Sequence, residues 1–139
     1  MSIIEEFAVV RAIIDDGTPL SRRERPAVTD VRVVELASGT LSFAARRRFP
    51  SDTDTTEIAS YAVDLPARLA EAGIPVTPPV VEALIRAARG EAELDGVDAR
   101  QANRALVPVA HALLEDCDLS EADKDAASMR IVHATRGYR

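Results

Sequence analysis

The sequence predicts an α+β domain, mostly helical, with one antiparallel β-hairpin packed against a bundle of five to six helices. Three observations carry that expectation. Two short apolar stretches, Val31 to Leu36 and Leu41 to Phe49, flank Ser38-Gly39, a pair suited to a hairpin turn. Around them, segments with apolar residues three and four apart begin at capping residues, the pattern of amphipathic helices. The 139 residues suit a single domain. Residues 1–139 are therefore read as one unit, with an N-terminal helix in 1–16, a loop in 17–29, the hairpin in 30–50 and a helical region in 54–136.

The first helix is expected over Ser2 to Asp15. Ile3, Ile4, Phe7, Val10, Ile13 and Ile14 repeat on one face, Ser2 and Glu5 form a capping box, and Gly17 with Pro19 stop it. Residues 17–29 follow as a polar loop carrying Pro19, Pro26, Arg22, Arg23 and Arg25. At more than ten residues, that loop is long for a compact domain. In the hairpin, Val31, Val33 and Glu35 share one strand face, and Leu41, Phe43 and Ala45 share another. A lone hairpin is marginal, so it must pack on helices or pair along its edge.

Asp54 caps a helix through Ile58, Tyr61, Ala62 and Leu65, and Pro66 either kinks it or begins a new helix capped by Asp64. Thr77 caps a helix from Pro78 to Ala88 that Gly90 ends. Glu91 to Gly96 is an acidic link. Asp98 caps a helix from Ala99 to Glu115, with a kink or break expected near Leu106 because Pro108 sits in the pattern. Ser120 and Asp123 begin the last helix, which runs through Ala127, Ile131 and Ala134. The β-branched pair Ile131-Val132 leaves a short strand over Met129 to Thr135 as the alternative.

Composition narrows the function classes. Net charge is −6, so long-range attraction to nucleic acid is disfavoured unless a basic patch segregates. The imbalance lies in one part of the chain. Residues 1–50 carry 8 basic and 7 acidic groups, and residues 51–139 carry 9 and 16. Sixteen of the basic residues are Arg and one is Lys124, a bias that reads as the codon usage of a GC-rich bacterial genome. One cysteine, Cys117, excludes an internal disulfide and suits a reducing compartment. Glu5 and Glu6 stand where a signal peptide would be basic, and no apolar run approaches a membrane span. The expectation is a cytoplasmic protein with no membrane contact.

Motif by motif, the chemistry is thin. Asp52-Thr53-Asp54-Thr55-Thr56 has the bare D-x-D-x-T order of haloacid-dehalogenase-type phosphotransferases. There the first Asp ends a buried parallel strand, whereas here Arg46-Arg47-Arg48 precede it and no βαβ alternation follows. As a calcium loop it lacks the required Gly and the final Glu. Helix capping by Asp54 explains it. Residues 96–106 carry Arg100, Gln101, Asn103 and Arg104, side chains able to read base edges, but no helix sits a short turn upstream. His111, Cys117 and His133 lack metal-ligand spacing. Asp116 and Asp118 beside Cys117 oppose a reactive thiolate. No cofactor and no metal are expected, and no catalytic residue is assigned.

The arginines remain. Arg22, Arg23 and Arg25 in the loop and Arg46, Arg47 and Arg48 at the hairpin end are the candidate binding residues for an anion or an acidic partner. The plainer reading of the triplet is a charged strand end guarded against stray pairing. The function expected is a small soluble, non-catalytic interaction or accessory module. Its partner is a protein or a second copy of itself, in preference to nucleic acid. The alternatives are a small anionic-ligand-binding protein or enzyme using both arginine clusters, with Tyr61 or His133 as proton donor, and a DNA-binding regulator using residues 96–106.

Overall fold

The computed structural model describes residues 3–91 and 96–136. These form six α-helices: α1 (Ile3–Asp16), α2 (Asp30–Arg48), α3 (Thr55–Glu71), α4 (Pro78–Ala88), α5 (Ala99–Glu115) and α6 (Glu121–Arg136). A single 3₁₀ turn, Arg22–Glu24, lies in the loop before α2. The described residues contain no strand, so the protein is a helical bundle, not an α+β domain.

The correction falls on residues 30–50, where the hairpin was expected and α2 runs unbroken. Its buried positions are Arg32, Val33, Leu36, Ala37, Thr40, Leu41, Ala44 and Ala45, spaced by one and three around a helix. Alternation in V-R-V-V-E-L holds for only a few residues, whereas the helical period holds for four turns. Thr29 caps the start, its Oγ1 accepting from the Arg32 backbone N–H at 3.2 Å. Gly39, read as turn glycine, is an interior helical residue at a close helix crossing. A Cβ there would stand 2.5 Å from Thr135 Cγ2 and 3.2 Å from Ile131 Cγ2 of α6. The helix accepts the intrinsic cost of glycine, about 1 kcal/mol against alanine, because α6 occupies the space.

The other elements lie close to expectation. α1 buries Val9, Val10, Ile13 and Ile14, but Ile3 and Ile4 stay exposed, Ile4 at 81%. The expected Ser2 cap lies outside the described residues. Asp54 caps α3, its carboxylate accepting from Thr56 N–H at 2.9 Å, and the helix runs through Pro66 without a second start. α5 likewise continues through Pro108. α6 is a helix, as preferred, and its capping box is formed. Ser120 Oγ accepts from Asp123 N–H at 3.1 Å while Asp123 accepts from Ser120 N–H at 3.3 Å.

α2 is the central element, packing against α1, α4, α5 and α6, while α3 packs on α4. Leu36 of α2 is fully buried with Val10 and Ile13 of α1, Val81 and Ile85 of α4, Val109 and Leu113 of α5, and Val132 of α6, in one continuous core. Each such side chain contributes about 1.5–3 kcal/mol by leaving water. One ion-pair cluster crosses the apolar layer. Glu6 of α1, 1% exposed, accepts from Arg32 Nη2 at 2.8 Å and from Arg136 at 3.1 Å through both Nε and Nη2. Burial alone would raise this carboxyl, but the hydrogen bonds from Arg32 and Arg136 outweigh it and hold Glu6 at about 2. No helix among the described residues is long and apolar enough to cross a membrane.

Candidate functional site

Helical periodicity decides where the six candidate arginines go. Arg22 and Arg25 lie in the loop before α2, and both bind Asp30 at its first position. Arg25 reaches Asp30 Oδ1 at 2.8 Å, and Arg22 forms a bidentate pair whose Nε contact is 3.1 Å. Arg25 is buried, and it also donates to Leu20 O at 2.9 Å and Val28 O at 2.7 Å. It fastens the loop to α2, and hydrogen bonds from Arg22 and then Arg25 hold Asp30 at about 2. Arg23 is exposed in the 3₁₀ turn. Arg46, Arg47 and Arg48 form the last turn of α2, nineteen residues long. The two clusters are thus separated by about 27 Å of helix. An anion site that needs both is not assembled.

The triplet itself divides, because successive residues on a helix point about 100° apart. Arg48 turns toward the core edge and stacks on two rings, its Cζ 4.7 Å from the Phe49 centroid and 5.4 Å from that of Tyr61. Those rings meet edge to face at 5.4 Å. Tyr61 Oη donates to Asp116 Oδ2 at 2.9 Å, and Arg68 clamps the same carboxylate at 3.0 and 3.3 Å. Burial first, then Asp116, pushes the Tyr61 hydroxyl above the usual tyrosine range. A hollow of about 290 Å³ beside this cluster is walled by Arg47, Arg48, Asp116 and Cys117. Burial raises the Cys117 thiol and Asp116 adds to the effect, against the opposing pull of Arg47 and Arg48.

Arg46 and Arg47 face a larger space. A groove of about 820 Å³ runs between α2 and α6. Its α2 wall includes Val34, Glu35, Ser38, Gly39, Ser42 and Phe43, and its α6 wall Arg130, Ile131, Ala134 and Thr135. Val34, Ser38, Ser42 and Arg46 are four apart, one straight ridge of α2, and Val31 extends it by a turn. Val31 and Val34 are 71% and 52% exposed. Elsewhere α2 is covered by its neighbours, so this ridge is the face of the central helix left without a flanking helix. At its lower end Ser42 Oγ donates to Ala88 O of α4 at 3.1 Å. Arg46 Nη2 lies 3.6 Å from where a Cβ on Gly90 would be.

Charge in the groove is one-sided: Arg46, Arg47 and Arg130 against Glu35. Eight other arginines are ion-paired, among them Arg11, Arg32, Arg68 and Arg136. Arg46, Arg47 and Arg130 have no ion-pair partner among the described residues. Position at a helix C-terminus favours Arg46 and Arg47 through the macrodipole, but that does not account for Arg130 on a different helix.

Sequence reasoning missed Val34, Ser38, Gly39, Ser42 and Arg130. A helical wheel over 30–48 would have shown the α2 ridge; Arg130 has no local signal. The remaining candidates lie apart. His111 Nδ1 bonds Ile14 O at 2.9 Å, closing the end of α1. His133 is exposed on α6 outside the groove lining, and no cluster of metal-ligating side chains occurs among the described residues. Arg100 and Arg104 are exposed on α5, but residues 89–98 separate α4 from α5, too many for a helix-turn-helix. Comparison with protein-family models, curated proteins and solved structures finds no match.

Proposed function

We propose that this chain is a small non-catalytic interaction module that docks a protein partner along the groove between α2 and α6. The observation that carries the reading is the Val31–Val34–Ser38–Ser42–Arg46 ridge. It is a partly apolar face of the central helix, walled on one side by α6, met by the end of α4 at Ser42 and open at Val31, Val34 and Ser38. A buried central helix ordinarily has neighbours all round, and an uncovered face of this kind is the shape a partner helix fills. Residues 30–48 form a helix and offer no strand edge for a partner to extend.

The test compares two exposed positions. A photo-crosslinking residue at Ser38, introduced in the cells that make the protein, gives a discrete adduct. The same residue at Arg104, on the outer face of α5, does not. Equal adducts from both positions, or adducts from Arg104 alone, overturn the reading.

A further inference from the structure

We infer that the occupant of the α2/α6 groove is an acidic amphipathic helix of a partner protein, its carboxylates set against Arg46, Arg47 and Arg130. This rests on the docking reading above and adds the chemistry of the partner. Shape argues for a helix. The ridge from Val31 to Arg46 spans four turns, roughly 22 Å, and the Val34–Ser38–Ser42–Arg46 row is the spacing that interlocks with another helix. Ser38 at its middle is exposed and carries little side-chain bulk, so a second backbone approaches closely there.

Charge argues for acid. Val31 and Val34 lie at one end of the ridge with Glu35 beside them, and Arg46 and Arg47 at the other, so the cationic charge sits at the lower end of α2. Three guanidiniums face it against the one carboxylate of Glu35, in a chain whose net charge is −6. An acidic helix satisfies this field, and its negative C-terminal pole adds to the match when it lies at the arginines. The partner helix therefore sets Asp or Glu against the arginine end of the ridge and apolar residues against Val31 and Val34. A second copy of this chain is the poorer occupant. A two-fold contact through the same face would bring six arginines together against two glutamates.

Selection of displayed helical peptides about sixteen residues long against the full chain tests this. Peptides enriched for carboxylates at one end are expected. They should shift the amide resonances of Gly39 and Ser42 and lose roughly tenfold affinity with Arg46→Glu or Arg130→Glu but not with Arg100→Glu. Because all three substitutions are at exposed positions, unchanged thermal unfolding verifies that the fold is kept. Groove-binding peptides of neutral or basic character overturn the acidic-helix inference and leave the docking reading standing. So does a stable dimer in light scattering that Ser38→Arg dissociates. Selected peptides that bind only away from the groove, together with no preferential adduct at Ser38, overturn both.

Discussion

Gly39 of α2 and Thr135 of α6 touch so closely that a methyl group on Gly39 would overlap Thr135 Cγ2, at 2.5 Å. Thr135 has limited freedom to move, since its Oγ1 donates to Ile131 O at 2.9 Å and contacts Val132 O at 3.2 Å. Gly39→Ala sets a gain in helix propensity of about 1 kcal/mol against overpacking that costs about 1–3 kcal/mol. The net expectation is a loss near 1 kcal/mol in urea unfolding. Gly39→Ala with Thr135→Ala removes the clashing methyl and should recover that loss. A single Gly39→Ala variant more stable than the parent would contradict the crossing.

Glu6 makes the second case. Removing one member of a buried, hydrogen-bonded charge cluster leaves the others uncompensated, so Glu6→Ala should cost about 3–5 kcal/mol. Its carboxyl is lowered from 4.5 to about 2. A carboxyl depressed on folding stabilises the folded state above its unfolded value and loses that contribution as pH falls through the folded one. Stability should therefore decline between about pH 4.5 and pH 2, and a chemical-denaturation series across that window checks it. Asp30 shares the window, also held at about 2, so Glu6→Gln should flatten the decline without abolishing it.

Tyr61 titrates in the opposite sense. Its hydroxyl is raised by burial and by Asp116, so it should remain protonated at about pH 11, where an ordinary tyrosine has ionised. Ultraviolet titration of a Tyr138→Phe variant isolates its signal. Asp116→Asn should bring the transition down toward the ordinary range. For stability the sign is reversed from Glu6: the contribution is complete below about pH 10 and is lost at higher pH.

Cys117 should alkylate slowly near neutral pH, because burial raises its thiol and leaves little thiolate. Arg47 and Arg48 act in the other direction, so Arg47→Glu should slow alkylation further. The pH dependence of iodoacetamide labelling, followed by mass spectrometry, tests both statements. A faster rate in Arg47→Glu would place the arginine elsewhere than beside the thiol.

The elements legible in the sequence were those fixed by local chemistry. Thr77-Pro78 starts α4, Asp98 caps α5, and Ser120 with Asp123 closes the box at α6, each within one turn of chain. α2 failed for the opposite reason. Its buried face includes the polar Arg32 and Thr40 while Val31 and Val34 lie exposed, so its amphipathic signature fades. The β-branched valines at its start and Ser38-Gly39 at its middle then read as strand and turn. What makes glycine right at 39 is a methyl group 96 residues later in the chain, which no local rule detects. The arginine clusters were misjudged with it. Two strands would have allowed them to approach, whereas one helix holds them apart, and Arg130 joins the site only through tertiary packing.

The Glu6 cluster also bears on the order in which the protein is made. Arg136 follows Glu6 by 130 residues, so a chain emerging from the ribosome carries its first helix long before the last of its counterions exists. Arg32 is available early, and α1 and α2 can associate around one ion pair. The surface that α6 covers stays open until Arg136 has been added. For that interval the nascent bundle exposes a long strip of α1 and α2, the segment on which premature association with other chains would begin.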